Sequence, residues 1–172
     1  MKLLAISGSL RAASINSALL RVAAKLAPPG LSIEISLDIG ALPLFNPDLE
    51  ADPPPAVMAF RAKVTAADAL LVASPEYAHG ITGPMKNALD WLVSIENFAG
   101  KPVAVWNASP RSVHGDESLR EILKTMSARI IEEASIALPL VGSGLDQAGM
   151  LRAPVMVAAI AAALARIRAG CP

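Results

Sequence analysis

Two kinds of apolar spacing alternate along this chain. Unbroken apolar runs occupy Leu3 to Ile6, Ala69 to Ala73 and Pro102 to Trp106. Between them, Ile15, Ala18, Leu19, Val22, Ala23 and Leu26, and later Val57, Phe60, Val64 and Ala67, recur at three- and four-residue intervals. An uninterrupted run is what a strand covered on both faces shows, and the longer interval gives a helix one apolar stripe. Leu31 to Leu37 alternates apolar residues with Ser and Glu, which predicts a strand with one face less buried, at a sheet edge. Pro28-Pro29-Gly30 stops the first helix.

The remaining elements follow by the same rules. Asp38 to Pro55 is proline-rich and has no period, so it reads as an ordered loop. Met85, Ala88, Leu89, Leu92 and Val93 predict a short amphipathic helix entered through Gly83-Pro84. Lys86, Asn87, Asp90 and Trp91 fall off its stripe, so Asn87 and Trp91 are candidates for a subunit contact or for the site. Asp116 and Glu117 are expected to open a helix whose apolar face is Leu119, Ile122, Leu123, Met126 and Ile130. Ser135 to Leu138 reads as a last short strand, Gly142 to Gly149 as a linker, and 151–169 as a C-terminal helix lined by Met156, Ile160, Ala163, Leu164 and Ile167.

Strands alternating with helices imply right-handed crossovers and a parallel sheet. One edge strand and three doubly buried ones select five strands in the order 2-1-3-4-5. Ligands of such a sheet bind beyond the carboxyl ends of the strands, where the order reverses between strands one and three. The loops after strands one, three and four carry the Ser, Asn, Arg, Tyr, His and Gly residues, so the unusual residues fall at the expected crevice.

Composition narrows the class. At 172 residues and 53% apolar content the chain suits one domain, 1–172. Fifteen basic residues balance fifteen acidic ones, so no overall field draws nucleic acid or an anionic membrane. The same balance argues against a carrier steered to basic partners. Cys171 is the one cysteine, which excludes an internal disulfide and fits a reducing, cytoplasmic setting. The first apolar run ends at Ser7-Gly8-Ser9, too short for a secretory leader, and the alanine-rich stretch before Arg166 is too short to cross a bilayer.

The chemistry concentrates in Ser7 to Ser17, S-G-S-L-R-A-A-S-I-N-S, where a strand hands over to a helix. Helix-start amides, Gly8, Arg11 and the short polar side chains of Ser9, Ser14, Asn16 and Ser17 suit an oxyanion. The same residues also suit a plain N-cap at Ser14 with Arg11 in solvent. A kinase-type P-loop and a G-x-G-x-x-G fingerprint are both missing, and Ser74 lacks the G-x-S-x-G turn of a hydrolase. His79 and His114, with Glu76 and Asp116 near in sequence, have no metal-ligand spacing, and no metal is expected.

Three segments then carry a resemblance. Gly8-Ser9-Leu10-Arg11-x-x-Ser14-x-Asn16, Leu42-Pro43-Leu44-Phe45-Asn46-Pro47-Asp48-Leu49-Glu50, and Ser74-Pro75-Glu76-Tyr77 with Gly83-Pro84-Met85-Lys86-Asn87-Ala88-Leu89-Asp90-Trp91 together resemble the NADPH-dependent FMN reductase family, over residues 1–140. The resemblance implies an α/β, flavodoxin-like three-layer sandwich that binds FMN, accepts hydride from NADPH or NADH, and passes electrons to a small acceptor such as a quinone or free flavin. It implies that Ser9, Leu10, Arg11, Ser14, Asn16 and Ser17 hold the FMN phosphate. It places Pro75, Glu76 and Tyr77 along the isoalloxazine, with Ala78, His79 and Gly80 continuing that loop, and has Ser109 and Arg111 close the far side. It also implies a homodimer or homotetramer. Many members follow Pro-Glu-Tyr with Asn, whereas Ala78 and His79 follow here, so Ala78 carries over only for its backbone. Hydride transfer onto a flavin needs no side-chain acid or base, and none is assigned. The other class left standing is a non-catalytic FMN-binding electron carrier or redox-sensing protein.

Overall fold

A computed structural model describes residues 1–36 and 38–171. The chain runs β1 (Lys2–Ser7), α1 (Ile15–Lys25), β2 (Ser32–Ser36), α2 (Pro55–Ala66), β3 (Ala69–Ala73), β4 (Glu76–Tyr77), β5 (Gly80–Ile81), α3 (Gly83–Asp90), β6 (Pro102–Asn107), α4 (Val113–Thr125), β7 (Arg129–Ile130), β8 (Ile136–Ala137), α5 (Gln147–Arg152) and α6 (Pro154–Ala169). The main sheet is parallel, in the order β2-β1-β3-β6-β7, with β8 also on β6. The expected edge strand is at the edge and half exposed, although Leu37 lies outside the described residues. β3 has the predicted bounds, and all five of its side chains are buried.

Alternate residues of the buried strands feed two cores, as the pleat requires. Leu3, Ala5, Leu71 and Trp106 pack under α1 and α6; Leu4, Ile6, Val72 and Val105 pack under α2, α3 and α4. The result is three layers, helices over both faces of one sheet. A side chain such as Leu71 touches the core on every side, and truncating it to Ala would cost about 2–5 kcal/mol.

Several boundaries differ from the sequence reading for nameable reasons. The fifth strand is two short pieces on β6, because residues 132–134 make one tight turn between them. Ser135 Oγ spans the gap, accepting the Val105 N–H and donating to Ile131 O, both at 3.0 Å. Ile130 therefore sits in β7, not on the face of α4. The end of the stretch read as a linker begins α5, capped by Asp146 Oδ1 on the Gly149 N–H at 2.7 Å; α5 runs on to Arg152, and Pro154 then opens the C-terminal helix separately. Val93 lies beyond α3 and is exposed.

Asn87 and Trp91 do not line the cavity described below, and both are engaged within the chain. Trp91 is fully buried, and its indole N–H donates to Pro43 O at 2.8 Å. Asn87 donates to the same carbonyl at 2.9 Å and accepts the Phe45 N–H at 2.7 Å. Phe45 meets the Trp91 ring edge-on, with centroids 5.0 Å apart. Both side chains thus sew the proline-rich loop to the body of the protein, giving its backbone groups the partners that regular structure does not. A sequence stripe cannot show this, because the partner is a loop carbonyl more than forty residues away.

Candidate functional site

The carboxyl ends of β1, β3 and β6 open onto a cavity of about 440 Å³, lined by both polar and apolar residues. That volume is in the range of small-molecule and cofactor sites. Four pieces of chain wall it: the loop and first turn of α1, the hairpin after β3, the loop after β6, and the segment after β8.

The first wall begins with Gly8. Its N–H reaches Ala73 O at 2.8 Å and its carbonyl accepts Thr82 Oγ1 at 2.6 Å, so the chain passes tightly between β3 and the start of α3. A Cβ on Gly8 would lie 2.8 Å from Ser74 Cβ, closer than two side chains can stand. Ser9, Arg11, Ser14 and Asn16 then line the cavity. Ser14 Oγ caps α1 by accepting the Ser17 N–H at 3.2 Å, which leaves its own hydroxyl hydrogen free to donate. The ladder of α1 begins with Ala18 N–H on Ser14 O, so the amides of Ile15 and Asn16 stand before it at the positive end of the helix. Asn16 is 4% exposed, and its side-chain oxygen is buried with no hydrogen-bond partner among the described residues. A buried amide left unpaired costs about 1–3 kcal/mol, so one aimed at a cavity marks a place for a polar ligand group. Ser14 is the N-cap that the sequence allowed, and the same loop forms one wall of the cavity.

Two of the residues expected to hold the phosphate, Leu10 and Ser17, do not line the cavity. Leu10 is 59% exposed and leans on Gly40, where a Cβ would be 2.8 Å from Leu10 Cδ2. Ser17 Oγ is buried against Ser7 Oγ at 2.8 Å, bracing the strand end from behind.

The second wall is a β-hairpin, a form the apolar pattern did not show because its strands are two residues each. β4 and β5 pair antiparallel around Ala78 and His79, whose φ angles are 49° and 59°. Both are left-handed, as a two-residue hairpin turn requires. Asn takes that conformation more readily than Ala, which explains why the departure at Ala78 is a departure in backbone preference. Pro75, Glu76 and Tyr77 line the cavity, Tyr77 with 55% of its surface exposed; Ala78, His79 and Gly80 do not. Glu76 turns its carboxylate to the first turn of α4, where Oε2 accepts the Gly115 N–H at 2.8 Å. His79 stacks on His114, with centroids 4.4 Å apart and planes at 28°. His114 is thus in the opening turn of α4, which begins three residues before the Asp116 start read from sequence. Among the described residues, no three His, Cys, Asp or Glu side chains gather as a metal site would require.

The third wall is organised by Asn107, which the sequence reading did not single out. Its side chain accepts the Ser109 N–H at 2.9 Å and donates to Ser112 O at 3.1 Å, folding the loop onto itself. Asn107, Ser109 and Ser112 reach the cavity; Arg111 is exposed in the same loop and does not line it. The fourth wall, Leu140 to Leu145, was also missed. Leu140 and Val141 N–H both bond Ala108 O at 3.1 Å, and Gly142 and Gly144 carry φ of 83° and 74°. That Gly-Ser-Gly was the available signal, since two left-handed glycines mark an ordered turn as readily as a flexible joint. Among the described residues, no helix is long and apolar enough to cross a membrane.

Comparison with known proteins agrees with this architecture. The family model described as NADPH-dependent FMN reductase matches residues 1–142. NAD(P)H-dependent FMN reductase PA1204 of Pseudomonas aeruginosa is 40% identical over 157 residues, 88% of this chain and 84% of that protein. Probable NADPH:quinone oxidoreductase 2 of Oryza sativa is 49% identical over 115 residues, 63% of this chain and 56% of that one. The structure of FerB, a flavoenzyme NAD(P)H:(acceptor) oxidoreductase from Paracoccus denitrificans, superposes with a TM-score of 0.79 at 26% identity, covering 99% of both chains. With the matched segment spanning all of the strands that frame the cavity's first three walls, the chain belongs to the NADPH-dependent FMN reductase family.

Proposed function

We propose that this chain, one FMN-binding domain over 1–172, is an NAD(P)H oxidoreductase that uses FMN in the cavity described above and passes electrons to a quinone or a free flavin. The observation that carries the reading is the buried Asn16 side-chain oxygen, unpartnered among the described residues, beside the open amides of α1. An amide can be turned to donate to a phosphate oxygen or to accept from a ribityl hydroxyl, and the donors around it suit the phosphate. When bound, FMN supplies the redox chemistry, taking hydride from the nicotinamide and delivering electrons to the acceptor.

This chain's own residues bind and orient. Ser9, Arg11, Ser14 and Asn16 hold the phosphate, Arg11 by charge-assisted bonds, with Leu10 and Ser17 shaping the loop from outside the cavity. Pro75, Glu76 and Tyr77 wall the ring, and the backbone through Ala78, His79 and Gly80 keeps that wall in place. Ser109 closes the far side, and Arg111, exposed in the same loop but outside the lining, is a candidate to meet the donor. Exposed Tyr77 offers an aromatic face at the opening. No side chain is assigned to move a proton. The site is assigned to a cytoplasmic homodimer or homotetramer, which gel filtration tests by the absence or presence of a monomer peak.

The purified protein is expected to be yellow, to retain FMN through dialysis, and to bleach rapidly on addition of NADPH or NADH, with quinone restoring the colour. A protein that stays colourless after reconstitution overturns the reading. Rapid flavin binding with only slow bleaching by either nicotinamide would instead identify an electron carrier.

A further inference from the structure

The hairpin that walls the cavity cannot set its own position. Its strands are two residues long, and both turn residues, Ala78 and His79, sit in the left-handed region that non-glycine residues disfavour. What fixes it lies outside it, on the opening turn of α4. That helix has no cap of its own, since Ser112 makes no side-chain capping bond. Glu76 supplies one from 39 residues away, its Oε2 on the Gly115 N–H at 2.8 Å. A carboxylate there satisfies an otherwise unpaired amide and faces the positive end of the helix. The approach is close enough that a Cβ on Gly115 would lie 2.9 Å from Glu76 Cβ, so only glycine admits it. The stacked rings of His79 and His114 make a second contact along the same seam.

We infer that Glu76 is a positioning residue: by plugging the start of α4 it holds the hairpin, and with it Pro75 and Tyr77, in the shape that receives the isoalloxazine. This rests on the FMN reading of the cavity. The charge of Glu76 is spent on the helix, and its task is geometric.

The test uses Glu76→Ala and Glu76→Gln, because the Gln side-chain oxygen can accept the same N–H. In flavin-free protein, amide hydrogen exchange at residues 77–81 should accelerate in Glu76→Ala and stay near wild type in Glu76→Gln. With FMN, Glu76→Ala should raise Kd for the flavin about tenfold, the loss of one well-made hydrogen bond. It should also raise KM for the nicotinamide more than it lowers kcat, while Glu76→Gln stays within about twofold of wild type. Should Glu76→Ala fail to fold, Gly115→Ala, which displaces the carboxylate without removing it, must loosen the same amides. Unchanged exchange, or faster exchange without weaker FMN binding, overturns the proposal. So does a Glu76→Gln variant as impaired as Glu76→Ala, which would assign the role to the charge itself. A wild-type protein that retains no flavin defeats the cofactor reading alone, and the exchange experiment then still decides whether Glu76 holds the hairpin.

Discussion

Two helices begin at the rim of the cavity, and they are finished in opposite ways. α1 caps itself with Ser14, three residues from the amide it satisfies, and leaves the amides of Ile15 and Asn16 before its ladder on the cavity side. α4 borrows its cap from Glu76, and its Gly115 amide is consumed by the bond. A helix start with local closure and spare donors is free to take a ligand; one closed by a distant side chain becomes a joint between segments. The same dipole serves recognition in one place and assembly in the other.

That contrast can be broken from either side. The largest effect is expected at the open start, where Arg11→Ala should weaken FMN binding by about 1.5–3 kcal/mol, roughly ten- to a hundredfold, as read by fluorescence titration. An unchanged Kd would remove Arg11 from the phosphate site. At the joint, Gly115→Ala must push Glu76 aside and should cost about 1–3 kcal/mol of stability in thermal or denaturant unfolding. The caps themselves sharpen the comparison: Ser14→Ala should cost about 1 kcal/mol, whereas Ser112→Ala, whose side chain caps nothing, should change stability by no more than a few tenths. Equal losses at the two serines would mean that both helices cap locally. Opposite in sign and no larger than the Ser14 loss is Ala78→Gly, which relieves a left-handed Ala and should stabilise the fold by about 0.5–1 kcal/mol.

What the sequence revealed follows the same division between near and far. β3, the edge position of β2 and the N-cap at Ser14 rest on neighbours within a few residues, and the apolar pattern records them. The polar loop after the first apolar run already marked Ser9, Arg11, Ser14 and Asn16 of the first wall, and the family motifs added Pro75, Glu76 and Tyr77 of the second and Ser109 of the third. The Glu76 bond, the Trp91 and Asn87 contacts with Pro43, and the hold of Ala108 O on Leu140 and Val141 all join points more than thirty residues apart. Nothing in a local window marks such pairs. Trp91 misleads for that reason, since off the helical stripe its ring is still enclosed by the folded-back loop.

The divided last strand has a bearing on how copies of this protein avoid one another. A sheet margin invites an incoming chain in proportion to the length of unpaired ladder it offers, and β7 and β8 present two residues each with a turn between them. Fibre-like growth is therefore discouraged on that flank. Any strand addition would have to start from β2 on the opposite flank, where Glu34, within 3.3 Å of Lys63, adds a charge against it.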